Sequence, residues 1–150
     1  MINGVIIKKL DKFEDERGAL IEIWRSDGSN YKPKMCYVSV TKPGQVRGPH
    51  EHIKQTDYFI FIGPGNLEIY LWDKREGSNT NGEHIKIKVG ADNPSLVLVP
   101  PGVVHGYKCV SEEAGYSINL PDKLYKGKGK KEEIDEIRWE EDKKSPYKIS

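Results

Sequence analysis

Residues 44–65 read GQVRGPHEHIKQTDYFIFIGPG. The run Tyr58–Ile62, aromatic or β-branched throughout and closed by Gly63–Gly65, has the composition and punctuation of a buried strand. Alternate residues of a strand share a face, so His50 and His52 are expected to project together from the polar half of the stretch. Asp57 follows beyond an expected turn and can return to the same face.

The same rhythm extends in both directions. Short apolar or alternating runs at Gly4–Leu10, Ala19–Trp24, Met35–Val40, Leu67–Trp72, His84–Val89, Leu96–Val99, Val103–Val110 and Tyr116–Leu120 are separated by clusters of Gly, Pro, Asn and Asp about every ten residues. That many short strands, with no helical period between them, predict an all-β sandwich or barrel of the jelly-roll kind. Lys123–Glu133 (KLYKGKGKKEE) reads as a solvated loop, with a phosphate-binding arm as the alternative, and Glu132–Trp139 as a short helix. The expected organisation is one domain over residues 1–150, with a barrel at about 4–120 and a short helical or irregular tail at 121–150.

Composition narrows the classes of partner. The 150 residues carry 24 Lys+Arg against 23 Asp+Glu, a formal charge of +1, which removes the global field expected of a nucleic-acid or anionic-membrane binder. No apolar run reaches the roughly eighteen residues of a membrane span. Cys36 and Cys109 lie far apart without CxxC spacing, and no leader-like segment precedes the first strand, so a reducing cytoplasm is the expectation. Any anionic ligand must be met by a local cluster of cations.

A second polar segment, VPPGVVHGY at Val99–Tyr107, places His105 just after a Pro-Gly turn. Three imidazoles and a carboxylate (His50, His52, His105, Asp57) are a donor set able to hold a divalent ion, and imidazoles pointing into a small barrel are costly unless paired or lining a wet cavity. His84, between Glu83 and Ile85, reads as surface. Tyr58, Trp72 and Tyr116 read as core rather than as platforms for a base.

Four motifs in order, DERGALIE (Asp15–Glu22), RGPH (Arg47–His50), DKREGSNTNG (Asp73–Gly82) and VPPGVVHGY, resemble the dTDP-4-dehydrorhamnose 3,5-epimerases of the cupin superfamily. The resemblance spans about residues 4–139. It implies a cupin jelly roll, a homodimer that exchanges N-terminal strands, a dTDP-sugar substrate and no required cofactor. It further implies proton abstraction next to the 4-keto group, with His50 as base, Arg17 and Arg47 on the nucleotide sugar, Glu22 assisting and His105 lining the pocket.

Three positions depart from the family pattern. Asp57 stands two residues after Gln55, where the epimerases carry a lysine near the ketone oxygen, so the charge is inverted. Lys123 occupies the place of the acid tyrosine, with Tyr125 two residues on as a substitute. The chain ends at Ser150, before the segment whose aspartate pairs with the family's histidine, and Asp57 is the replacement expected to orient His50. RGPHEH is also similar to the RGxHxH of dTDP-sugar 3,4-ketoisomerases, which implies proton work by His50, His52 and Tyr37. A third resemblance, to metal-binding cupins, implies a divalent ion on His50, His52, Asp57 and His105, in competition with His50 as base. A non-catalytic relative that only binds a nucleotide sugar is the remaining alternative.

Overall fold

The computed structural model describes residues 1–150. Two five-stranded antiparallel sheets face each other. The first runs β1 (Ile6–Lys9), β9 (Ser95–Val99), β6 (Asp57–Phe61), β11 (Gly115–Asn119), β4 (Tyr37–Thr41), and the second β12 (Ile137–Arg138), β5 (Val46–Glu51), β10 (Val103–Cys109), β7 (Asn66–Asp73), β8 (His84–Gly90). Strands β2 (Lys12–Asp15) and β3 (Gly18–Ile21) form a separate hairpin. The jelly roll expected from the strand rhythm is the fold found.

Strand alternation builds the interior. Phe59 and Phe61 of β6 meet Leu67, Ile69 and Leu71 of β7, Val97 and Val99 of β9 and Tyr107 of β10 between the sheets. The intervening Tyr58 and Ile60 pack on the opposite face with Leu10, Leu96 and Leu120. All five β6 residues are therefore buried, which is why this strand reads as an unbroken apolar run rather than an alternating one.

Several expectations change at the surface. The helix expected over Glu132–Trp139 is absent: Ile137–Arg138 pairs instead with β5, opposite Glu51 and His50, and Trp139–Glu141 is a 3-10 turn. An open strand edge offers more hydrogen bonds than a short isolated helix can keep in water. Tyr58 is core, as expected. Trp72 is only half-buried and stacks between Tyr70 and Tyr147 outside the sandwich. Tyr116, expected in the core, is 37% exposed, because on β11 it lies opposite Val40 on the outward face. His84 is exposed on β8, as read. The DKREGSNTNG motif is a structural turn, in which the Asp73 carboxylate accepts hydrogen bonds from Arg75, Ser78 and Thr80.

Candidate active site

His50 and His105 are cross-strand partners on β5 and β10, with ring centroids 4.6 Å apart. The register slips between His105 and Tyr107, beside Gly48. Gly48 has φ +79°, and a Cβ there would sit 2.8 Å from the His105 carbonyl, so only glycine permits this approach. The G-P step of RGPHEH thereby brings two histidines distant in sequence edge to face. His52 continues from the end of β5, and Asp57 opens β6.

His50 and His52 border a cavity of about 830 Å³ between the sheets, within the range of small-molecule sites. His50, His52, Arg47 and Tyr37 line it, and Lys123 and Tyr125 of the tail loop form part of its wall. The basic arm is thus both an exposed loop and part of the cavity, through Lys126 and Gly127. Arg47 donates to the Thr41 hydroxyl at 3.1 Å and the Val40 carbonyl at 2.8 Å. Tyr37 accepts from the Asn119 amide at 2.9 Å, and burial, with the Asp57 charge adding, pushes its hydroxyl up to about 12, so it remains protonated.

Behind that wall lies the charged centre. Asp57 and His105, each about 1% exposed at the side chain, approach to 3.0 Å, and His52 Nε2 lies 3.1 Å from the same Asp57 oxygen. His105 therefore sits behind the cavity rather than lining it, contrary to expectation, because its strand neighbour His50 stands in front. Burial pulls His52 down, but the hydrogen bonding and charge of Asp57 outweigh it and raise the ring to about 9. Burial pushes Asp57 up, yet His105 and His52 hold the carboxyl below its ordinary range. For His50, burial and the two neighbouring imidazoles act together and depress the ring to about 2, so it is neutral.

Asp57 does not orient His50. The carboxylate facing His50 is Glu136, at 3.9 Å from Nδ1 and half-buried, delivered by the tail just before β12. Its neighbour Asp135 binds the loop after β5: the carboxylate accepts from the backbone N–H groups of Ile53, Lys54 and Gln55, and the carbonyl contacts His52 Nδ1. Sequence reading missed Asp135, Glu136 and Asn119. The acidic run Glu132–Glu136 was the only signal for the first two, and nothing in it specified which carboxylate turns inward.

The expected convergence of Arg17 and Glu22 on Arg47 does not occur within one chain. Arg17 is on the β2–β3 turn, 84% exposed and paired with Asp15, and Glu22 pairs with Arg25. The hairpin stands outside both sheets and brings neither side chain to the cavity.

A neutral imidazole with a facing carboxylate, a protonated phenol in the same wall, and cations at the rim form an arrangement suited to moving a proton on an anionic, carbonyl-bearing ligand. A family profile described as dTDP-4-dehydrorhamnose 3,5-epimerase matches residues 1–144. The chain belongs to that family. Epimerase-family members act as carbohydrate epimerases on sugar nucleotides and need no cofactor. The chain is 36% identical over 127 residues to the probable low-salt glycan biosynthesis epimerase Agl13 of Haloferax volcanii, covering 83% of this chain and 81% of that protein. It is 41% identical over 114 residues to the spore coat polysaccharide biosynthesis protein SpsL of Bacillus subtilis, covering 75% and 74%. A crystal structure of a dTDP sugar isomerase from Desulfovibrio desulfuricans superposes over 98% of this chain and 91% of that one, with TM-score 0.84 at 23% identity, and shows the fold. No helix is long and apolar enough to cross a membrane.

Proposed function

We propose that this chain, as one cupin domain, epimerises a dTDP-4-keto-6-deoxyhexose by removing the proton next to the ketone and returning it from the other side. The observation that carries the reading is His50, a neutral imidazole on the wall of a ligand-sized cavity with Glu136 behind it. His50 is neutral and so free to accept the proton; a ring held at about 2 is a weak base, and Glu136, 3.9 Å from Nδ1, is the group that stabilises the imidazolium as it forms. Tyr37, protonated in the same wall, is the acid, with Tyr125 as the second hydroxyl in reach of the cavity. Arg47 and Lys123 supply positive charge for the diphosphate, which a chain of net charge +1 can provide only locally.

The working unit is a homodimer. The hairpin leaves Phe13 and Leu20 each 64% exposed, and the outer face of β4 and β11 exposes Val38, Val40 and Tyr116. Such apolar surface is characteristic of an interface. A second chain seated there places Arg17 and Glu22 beside its partner's cavity, which accounts for two motif residues that reach no cavity within one chain. Cys36 and Cys109 are both free thiols, in keeping with a cytoplasmic enzyme.

The test is incubation with dTDP-4-keto-6-deoxyglucose in deuterated water. Deuterium at carbon 3 or carbon 5 is expected. A 3-keto product instead identifies a 3,4-ketoisomerase using His50 and His52, and dTDP binding without exchange or new product identifies a non-catalytic relative.

A further inference from the structure

Glu51 follows His50 on β5 and faces the other way, because alternate residues of a strand point to opposite faces. Its side chain is 3% exposed, both carboxylate oxygens are buried without a hydrogen bond, and its counter-charge is the Lys74 ammonium, 3.0 Å from Oε1. Neither residue lines the cavity, so the chemistry proposed for His50 does not use them directly. A carboxylate is a costly choice for such a place, since a buried charge is tolerated only when it is paired.

The pair lies under the C-terminal tail. Lys74 Nζ stands over the Trp139 ring, 5.4 Å from its centre, while it pairs with Glu51. Trp139 meets Tyr147 edge to face at 5.1 Å, and Tyr147 packs on Trp72 at 5.5 Å. The Tyr70 hydroxyl donates to the Ser150 carbonyl at 2.7 Å. Ile149 Cδ1 fills the space over Gly106, 2.6 Å from where a Cβ would stand. Trp139–Ser150 is thus strapped across the outer face of β5, β10 and β7, with the Glu51–Lys74 pair at its start.

The strap begins directly after β12, whose two residues pair with Glu51 and His50. So short a ladder fixes its register weakly, and a slip by one residue turns every side chain to the other face. Glu136 immediately precedes β12 and faces His50 Nδ1 in the register observed. We propose that Glu51 and Lys74 are positioning residues, whose ion pair beneath Trp139 docks the tail and so holds Glu136 opposite His50. The docking is a property of the fold; its effect on proton transfer rests on the epimerase reading. Removing Lys74 alone orphans the Glu51 charge, and lifting the tail returns that charge to water at less cost than unfolding the sandwich. Removing both charges takes away the reason for the tail to lift.

The test compares full-length wild type, Lys74→Met, and the double variant Lys74→Met with Glu51→Leu. Each is followed by amide hydrogen exchange, by deuterium incorporation kinetics with dTDP-4-keto-6-deoxyglucose, and by NMR of the His50 ring. In Lys74→Met the amides of Ile137–Ser150 are expected to exchange at least about tenfold faster, while β6 and β7 keep their protection. In the same variant kcat falls at least about tenfold with less than about a threefold change in KM, and the His50 resonances move. The double variant, which still lacks Lys74, returns protection, kcat and the His50 resonances to near wild type, a rescue that a direct role of Lys74 in binding or catalysis does not allow. Trp139→Leu loosens the same strap without orphaning a charge; it is expected to speed exchange of the tail and lower kcat, and it decides the matter if circular dichroism shows Lys74→Met unfolded. A wild type that incorporates no deuterium refutes the epimerase reading alone, and the exchange pattern and the His50 resonances then decide this one. Unchanged protection of Ile137–Ser150 in folded Lys74→Met, an open tail that leaves kcat and the His50 resonances unmoved, or an open tail in the folded double variant overturns the proposal.

Discussion

His50 and Asp57 are seven residues apart and do opposite things with a proton. His50 is held neutral at the cavity wall, and its replacement by Asn is expected to slow deuterium incorporation by about 10²–10⁴-fold, the usual range for a general base. The thermal shift produced by dTDP should be unchanged, because His50 contributes no charge to the nucleotide; loss of dTDP binding along with exchange contradicts the assignment. Arg47→Ala should act the other way, raising KM or weakening dTDP by about 10–100-fold, the range of a hydrogen bond to a charged group, with a smaller change in kcat. The histidines were legible in the chain because RGPHEH and VPPGVVHGY are compact, strand-borne patterns. Their division of labour was not. Asp57 sits closer to His50 in sequence than to His105, yet it bonds away from His50, since β6 lies in the opposite sheet and reaches the cluster from behind. Glu136, the carboxylate that does face His50, is more than eighty residues downstream in an acidic run with no distinguishing pattern.

Two elements at the margin of the sandwich bear on the proposed roles of Glu136 and Arg17. The tail strand β12 closes the edge of β5, and the preceding Asp135 ties down the loop at Ile53–Gln55 through three backbone hydrogen bonds. Asp135→Ala should cost about 2 kcal/mol in urea unfolding, the worth of a charged acceptor partly replaced by water. It should also lower kcat more than it raises KM, because it frees His52 rather than the nucleotide contacts. An unaltered kcat would mean that the tail merely covers the edge. The β2–β3 hairpin is the second element. Phe13→Ser with Leu20→Ser should convert the dimer to monomer by sedimentation velocity and, by withdrawing Arg17 from the partner, reduce exchange in the monomer; a monomeric wild type removes the basis of that prediction. The nine strand-like runs were readable from alternation and turn residues. The tail was misread as a helix because Glu-rich composition is neutral on partner choice, and a strand of two residues exists only through the edge it joins.

Across the whole molecule, the buried histidines set an optimum of stability with pH. His50 titrates near 6.5 when unfolded and about 2 when folded, so its contribution is present above 6.5 and is lost as pH falls below it. Asp57, lowered from 3.8, acts in the same direction at more acid pH. His52, raised to about 9, contributes fully below 6.5 and loses its contribution as pH rises to 9. The urea midpoint of metal-free protein should therefore peak near neutral pH and fall on both sides; a midpoint that climbs steadily from pH 7 to about 9 excludes an imidazolium at His52. The near-zero charge of +1 argues against a global field for polyanions, an expectation that needs only composition. Strand rhythm, the jelly roll, the family and the identity of the polar cluster were likewise determined by the sequence alone, because periodicity, turn chemistry and compact motifs are local properties of a chain. The tertiary structure alone decided which carboxylate faces which imidazole, that His105 lies behind the cavity, and that Arg17 and Glu22 stand apart from Arg47. Those relations depend on the crossing of two sheets and the return of a distant tail, and hydrogen-bond direction and burial act through space between residues whose separation along the chain carries no record of them.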